Sequence, residues 1–241
     1  MNSTHAIVPL SVDEQITCSM ASMPSRLDGM LTVLTALLPQ CDRFFISLND
    51  YPAISHPLLE NPRVTIIHSA KAMGARGKML MTTTVPGYHL TVDDDIQYPP
   101  DYCMTMVRHV ETMHRQAIVG AHGKIVFYRR PPQPLTFRVL NFAEEIRDYS
   151  SVHIMGTGTM AWHSSLVQFD ADALEPGKID DQIALYCQQN FIPMVVVPHP
   201  AGWMGDMAEI SVRDALRKNF AVRKDAIERI AAYPSWRFYI P

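Results

Sequence analysis

A run of three aspartates carries the strongest chemical signal in this sequence. Asp93, Asp94 and Asp95 directly follow the apolar run Tyr88–Val92 (YHLTV). Side chains of a strand alternate between its two faces, so Asp93 and Asp95 would point the same way if the strand continued. Carboxylates this close repel each other unless a proton or a cation neutralises them. A hard divalent ion such as Mg²⁺ or Mn²⁺ suits these oxygen ligands and leaves coordination positions open for phosphates.

The simpler interpretation of the same three residues is a solvated acidic turn that caps a helix predicted from Pro99. The apolar strand before the run and Tyr98-Pro99-Pro100 after it favour the metal site. The position agrees, because ligands of open α/β sheets bind outside the carboxyl ends of the strands. The run alone does not choose among phosphoryl, nucleotidyl and glycosyl transfer.

The elements around the aspartates alternate between strand and helix, which is typical of an α/β sheet with crossover connections. The apolar pattern predicts strands at Ile16–Ser22, Arg43–Leu48, Arg63–His68, Tyr88–Val92, Ala117–Phe127, Val152–Trp162 and Pro193–Val197. Helices are predicted at Pro24–Leu38, Gly77–Thr84, Pro99–Arg115, Lys178–Asn190 and Ser211–Ala232. Gly156-Thr157-Gly158 interrupts one strand, either as a simple bulge or where the backbone must approach a ligand closely.

Composition and charge limit the classes of protein to which this chain can belong. The 241 residues are 47% hydrophobic and 19% charged, as in folded globular proteins. Lys and Arg number 21 against 24 Asp and Glu, so the net charge of −3 offers no general attraction for nucleic acid. The four cysteines lack zinc-site spacing, which favours a reduced, cytoplasmic setting. No apolar run approaches the ~20 residues of a membrane span, and no signal peptide is predicted.

Several segments, in this order and spacing, resemble one family. TVDDDIQYPPDY resembles the Asp-x-Asp segment of family 2-like bacterial glycosyltransferases, which have the nucleotide-diphospho-sugar transferase (GT-A type) fold. Residues 16–51 resemble the opening of that group, from first strand through a Pro-Ser-Arg turn to the second strand. GKML at 77–80, HIMGTGTMAWHSS at 153–165 and IDDQIALYCQQNFIP at 179–193 resemble its later segments. Together the matches cover about residues 14–205.

The resemblance implies a single α/β domain over residues 1–241, with a mixed, mostly parallel sheet flanked by helices. About residues 14–100 would form the half that binds the nucleotide-sugar. About residues 101–205 would form the acceptor and catalytic half, followed by a C-terminal helical segment at 206–241.

The resemblance also implies a metal site for Mn²⁺ or Mg²⁺. Asp95 would be the main ligand, and Asp93 would lie near the metal or the ribose, with Asp94 at the bound nucleotide. His199 in VPHPAGW is a candidate third ligand, because many enzymes of this fold take a His from the C-terminal region. A lone histidine is more often structural, so that alternative stays open.

Four further residues would meet the nucleotide donor, as the resemblance implies. Arg26 and Lys78 would contact the nucleotide or its phosphates, and Ser22 and Asn49 would line the pocket for the base and ribose. Without the resemblance, Arg26 would be interpreted as a solvated residue of the first helical turn and Lys78 as a surface lysine.

Asp180 and Asp181 open a predicted helix, where two acidic residues complement the helix dipole or supply a cap. The resemblance implies a further role, because inverting members of the family use the second acidic residue here as general base. Asp181 would deprotonate the acceptor hydroxyl, and Asp180 would orient the acceptor or the loop.

These observations predict a metal-dependent glycosyltransferase that moves a sugar from a nucleotide donor, expected to be a UDP-sugar, to a hydroxyl of a glycan acceptor with inversion. The group it resembles places such chemistry in bacterial surface-polysaccharide synthesis at the cytoplasmic side. The alternatives are a nucleotidyltransferase, which typically has a Gly-rich basic loop where this chain has Met23-Pro24-Ser25, and a non-catalytic nucleotide- or glycan-binding relative. The basic C-terminal segment is either a peripheral membrane contact or a solvated helix face.

Overall fold

The computed structural model describes residues 14–69, 71–127, 136–175 and 179–207. The helix predicted at Ser211–Ala232, and with it the predicted membrane contact, lies outside the described residues. The α-helices are α1 (Leu27–Leu37), α2 (Tyr102–Thr112) and α3 (Ile179–Gln189). Short 3₁₀ segments occupy Pro24–Arg26, Leu38–Gln40, Lys71–Met79 and Ala171–Ala173.

The strands are short, as is usual for an α/β protein. They are β1 (Ile16–Ser22), β2 (Arg43–Asn49), β3 (Val64–Ser69), β4 (Tyr88–Val92), β5 (Ile96–Gln97), β6 (Ile118–Gly120), β7 (Gly123–Phe127), β8 (Thr136–Leu140), β9 (Ser150–Ser151), β10 (Ile154–Met155), β11 (Thr159–His163), β12 (Met194–Val196) and β13 (Gly205–Asp206).

Eight strands form the central sheet in the order β3-β2-β1-β4-β11-β6-β12-β9. The first four are parallel, as are β6 and β12, whereas β11 and β9 run antiparallel to their neighbours. The predicted fold class, a mixed and mostly parallel sheet flanked by helices, is therefore confirmed.

The strand order reverses between β1 and β4. Strands β2 and β3 add to one side of β1, and β4 pairs with its other side. At such a reversal the connections leave in opposite directions and open a crevice outside the carboxyl ends of the strands. The residues after β1 and after β4 therefore lie where open α/β sheets bind ligands.

Helices cover both faces of this sheet, because neighbouring strand residues point to opposite sides. On β11, Ala161 packs into a buried cluster with Leu34 of α1 and Val110 of α2, whereas Trp162 packs into a second cluster with Ile183 of α3. Both faces being apolar explains why the strands read as nearly continuous hydrophobic runs. Within the described residues, none of the helices has the length and apolar character needed to cross a bilayer.

The strand predicted over Ala117–Phe127 is in fact two strands in different sheets. β6 belongs to the central sheet, and β7 pairs with β8 and β10 in a three-stranded sheet. The break at Ala121 and His122 is fixed by Thr159, whose Oγ1 accepts both backbone N–H groups at 3.2 and 3.1 Å. A side chain from a distant strand makes this break, so local sequence pattern does not reveal it.

The helix predicted at Gly77–Thr84 also has different bounds in the structure. The 3₁₀ segment runs earlier, over Lys71–Met79, and Gly74 interrupts it with a φ of 52°. That backbone conformation favours glycine, and it turns the Gly74 carbonyl toward the end of β2.

A pH-dependent contribution to stability follows from His153, which is buried beside β7. Its Nδ1 accepts the Val126 backbone N–H at 3.0 Å, and burial lowers its pKa to about 4. The unfolded chain takes up this proton near pH 6.5, before the folded protein does. The stabilisation is therefore complete above that pH and is lost as the pH falls toward 4.

We expect His153→Asn, whose Oδ1 can replace Nδ1 as the acceptor, to flatten the free energy of unfolding against pH. Between pH 6.5 and 4 the slope should fall by up to about 1.4 kcal/mol per pH unit, measured by urea unfolding. His68→Asn, at an exposed histidine, is the matched control. Equal slopes for the two variants would contradict this account.

Candidate active site

The three aspartates do not continue β4. The strand ends at Val92, and Asp94 and Asp95 form a turn before β5. The expectation that Asp93 and Asp95 share one face of a strand is therefore wrong. Instead the carboxylates diverge toward two cationic side chains that come from other segments.

Arg26 is one of these cations. It ends the 3₁₀ turn that Pro24 opens directly after β1, on the opposite side of the strand-order reversal from the aspartates. Its Nη1 donates to Asp94 Oδ1 at 2.5 Å, and its Nη2 lies 3.2 Å from Asp95 Oδ2. The guanidinium is 15% exposed, so Arg26 is part of the site and not a solvated residue of the first helical turn.

Lys78 is the other cation, and it is unusual in being only 2% exposed. Its Nζ pairs with Asp93 Oδ1. A buried ammonium group is stable only when it is paired, so Lys78 requires Asp93. The interpretation of Lys78 as a surface lysine is therefore wrong, and its implied contact with the nucleotide or its phosphates stays a prediction.

Burial dominates the electrostatics of this cluster. It raises the pKa of Asp94, opposed by the Arg26 charge, and it raises the pKa of Asp95 to about 6 together with the neighbouring Asp93 charge. Burial acts to lower the pKa of Arg26, but the charges of Asp94, Asp95 and Asp93 outweigh it, so the pKa is raised and Arg26 stays charged. Three carboxylates share two cations, which leaves one negative charge in excess.

The donor atoms present fit a divalent cation that shares its coordination with a ligand. Asp93 and Asp95 are 36% and 21% exposed, and each uses only one carboxylate oxygen in its ion pair. Mg²⁺ is commonly held by one or two carboxylates, with phosphates and water completing the shell. In the part of the chain that the structure describes, no three His, Cys, Asp or Glu side chains converge into an all-protein cage.

His199 is accordingly not gathered with Asp93 and Asp95. Its ring stacks on Trp203 with centroids 5.8 Å apart, and its backbone bridges to Ile146. This placement agrees with the structural alternative for a lone histidine.

Polar side chains at the ends of β1 and β2 form a second part of the site. Ser22 Oγ lies 2.9 Å from the Tyr51 hydroxyl, which donates to the Met23 carbonyl at 2.7 Å. Asn49 donates its amide to the carbonyls of Ser22 and Gly74, each at 3.3 Å. Asn49 is 7% exposed, and its Oδ1 is buried without a hydrogen-bond partner among the described residues. Ser22 and Asn49 are thus together as predicted, and Tyr51 joins them.

The Gly156-Thr157-Gly158 segment connects the aspartates to α3. A Cβ on Gly158 would overlap Asp93 Oδ2, so the backbone must approach this carboxylate without a side chain. Thr157 donates to Asp180 Oδ1 through its backbone N–H at 3.2 Å and its hydroxyl at 2.8 Å. The glycine segment thus brings Asp180 into the same site as Asp93. Asp181, the predicted base, lies next to Asp180 in the first turn of α3, and it is 4% exposed.

Two residues of this site were missed by sequence reasoning. Tyr51 stands in the segment that resembles the family, and its aromatic hydroxyl next to Asn49-Asp50 was the available signal. His122 lies in the break between β6 and β7, where the charges of Asp180 and Asp93 act on its ring. No local motif marks His122.

Comparisons with known proteins add little to this picture. No family model matches the sequence, and no curated protein matches it. Among solved structures, a nucleotidyl transferase from Methanothermobacter thermautotroptrophicus matches with 12% identity and a TM-score of 0.41, over 89% of this chain and 98% of that chain. A likeness at this level carries no argument about function, so the site is interpreted from its own residues.

The packing of Gly158 yields a direct test of the site's construction. Gly158→Ala should force Asp93 away from Lys78 and lower the free energy of unfolding by about 1–3 kcal/mol, the usual range for overpacking. Gly205→Ala is the matched control, since its Cβ would meet only the flexible end of Gln97, at 3.3 Å. Denaturant unfolding compares the two, and equal stabilities would show that Gly158 is not tightly packed.

Proposed function

We propose that this protein is a glycosyltransferase that uses a nucleotide-sugar donor and binds the donor's diphosphate with Arg26, Lys78 and a divalent cation on Asp93 and Asp95. One observation carries the proposal. At the reversal of strand order, the nearly buried cations Arg26 and Lys78 form ion pairs with the three carboxylates of Asp93, Asp94 and Asp95. Carboxylates bind the metal ion, whereas arginine and lysine bind phosphate oxygens.

The chemistry of sugar transfer suits this charge pattern. A nucleoside diphosphate leaves as the glycosidic bond breaks, and negative charge develops on the departing phosphate oxygen. A bound Mn²⁺ or Mg²⁺ would supply Lewis-acid stabilisation of that charge. Arg26 and Lys78 would orient the phosphate groups and stabilise the same charge through charge-assisted hydrogen bonds.

The nucleoside would lie against Ser22, Asn49 and Tyr51. The unpartnered Asn49 Oδ1 is an acceptor in a buried position, and such an atom is costly unless a donor reaches it. The N3–H group of uracil is a donor of the right kind, but Asn49 Oδ1 is itself buried, so the side chain would have to turn for a base to reach it. Guanine also carries ring N–H donors, so binding measurements must compare the two bases.

Transfer with inversion would be a single displacement on the α3 side of the site. The acceptor hydroxyl oxygen attacks the anomeric carbon, the bond from that carbon to the diphosphate breaks, and the hydroxyl proton passes to Asp181. Asp180, held by Thr157, would orient the acceptor, a glycan hydroxyl. Arg26 and Asp93 would then lie at the donor diphosphate and Asp180 at the acceptor, with the transferred sugar between them.

Nucleotidyl transfer, which would make a sugar nucleotide, is the alternative reaction for a site of this kind. The segment after β1 supports glycosyl transfer, because it is a compact 3₁₀ turn at Pro24–Arg26 without glycine. Its arginine is already fixed by Asp94 and Asp95. A flexible Gly-rich loop that could wrap a nucleoside triphosphate is not present at this position.

Calorimetry with UDP, GDP and CDP, each with and without Mn²⁺, tests the donor site. We expect one diphosphate to bind only with the metal ion, and Asp95→Asn to weaken this binding at least about tenfold, since a charged ligand contact is lost. Asp148→Asn, at an exposed aspartate far along the chain, should bind as the wild type does. If none of the nucleotides binds under any metal condition, the proposed donor site is wrong.

Product analysis separates the two reactions. Release of UDP from a UDP-sugar supports glycosyl transfer, whereas release of pyrophosphate from a nucleoside triphosphate and a sugar 1-phosphate would establish the nucleotidyltransferase.

A further inference from the structure

His122 is held beside the Gly156-Thr157-Gly158 segment of the proposed site. Its backbone N–H donates to Thr159 Oγ1 at 3.1 Å, and its carbonyl accepts the Gly156 N–H at 2.9 Å. Its ring packs against Phe142, and a Cβ on Gly156 would lie 3.0 Å from Cδ2. The first glycine of Gly156-Thr157-Gly158 thus makes room for this imidazole, just as the last makes room for Asp93.

The two ring nitrogens of His122 differ in their surroundings. Nδ1 is buried and has no hydrogen-bond partner among the described residues. An unpaired buried N–H is rarer in folded proteins than an unpaired acceptor, which places the proton on Nε2. Nε2, in contrast, makes no hydrogen bond among the described residues and is not fully buried. It is therefore the nitrogen that can reach a ligand.

Charges of both signs act on the imidazole ring of His122. Asp180, Asp206 and Asp93 all act on the imidazole, with Lys124 as the opposing cation. Burial, followed by the Lys124 charge, lowers the pKa of His122, so the ring is neutral at physiological pH. A neutral imidazole donates an ordinary hydrogen bond through Nε2–H, and an uncharged hydroxyl oxygen is a suitable acceptor for it.

We infer that His122 is a binding residue for the transferred sugar and donates its Nε2–H to a sugar hydroxyl. This inference rests on the proposed function. The sugar of a bound donor must lie between the diphosphate, at Asp93, and the acceptor, at Asp180. The Gly156-Thr157-Gly158 segment, which contacts both of these carboxylates, also packs against the His122 ring. A hydroxyl is the neutral acceptor that every nucleotide-sugar offers at that place.

The test compares two variants that differ by one methylene group. His122→Gln can place its amide N–H near the position of Nε2, whereas the shorter amide of His122→Asn reaches only the region of Nδ1. Calorimetry with Mn²⁺ would measure UDP against UDP-glucose, UDP-galactose and UDP-N-acetylglucosamine, or the GDP counterparts if GDP is the nucleotide that binds. The UDP-sugar that binds the wild type most tightly serves as the probe.

We expect His122→Asn to weaken binding of the UDP-sugar about tenfold while leaving UDP within about twofold, the effect of one lost neutral hydrogen bond. His122→Gln should restore most of the loss. Equal weakening of UDP and UDP-sugar, or no weakening of either, overturns the inference. If the wild type binds none of UDP, GDP and CDP, the proposed function itself is overturned, so the two failures are distinguishable.

Discussion

The neutralisation of three neighbouring carboxylates is the constraint on which the rest of this site depends. Asp93, Asp94 and Asp95 are confined to one turn, and their mutual repulsion in a partly buried place requires cations. Arg26 arrives from the turn after β1, and Lys78 arrives from the segment before β4. Removing Arg26 would leave the charge of Asp94 uncompensated in a buried position, whereas removing Lys78 would leave Asp93 partly exposed to solvent. The ion pairs thus fix three separate segments against each other at the reversal of strand order.

A second constraint is steric and comes from the antiparallel strand β11, which starts where β4 ends. Its first residue pairs with Val92, so the segment before it must pass directly over the aspartates. A Cβ on Gly158 would overlap Asp93, and one on Gly156 would lie 3.0 Å from the His122 ring. Thr157, between the two glycines, binds Asp180. One short segment therefore contacts Asp93, His122 and the start of α3. The charge requirement and the lack of space act on the same few residues.

The sequence predicts the parts of this arrangement that local pattern controls. Strands β1 and β4 and the helix after Pro24 follow from apolar periodicity and proline position, and each lies close to its predicted bounds. What local pattern cannot reveal is the pairing of distant residues. Thr159 breaks a predicted strand at His122 by accepting two backbone hydrogen bonds. The sequence around Lys78 is that of a surface residue, yet in the fold Lys78 pairs with Asp93. These outcomes depend on contacts between segments far apart in the chain.

The excess negative charge has a consequence for how a ligand can enter. A divalent cation alone would have to compete with Arg26 and Lys78 for the carboxylates that they already neutralise. A diphosphate alone would bring more negative charge to a site that already has an excess, and the repulsion would oppose binding. A doubly charged cation and a doubly charged diphosphate together leave the net charge unchanged. Under the proposed function they would exchange one set of ion pairs for another, with the carboxylates binding the metal and the two side-chain cations binding phosphate oxygens. The electrostatics of the free protein therefore favour the metal and the diphosphate as a pair over either one alone.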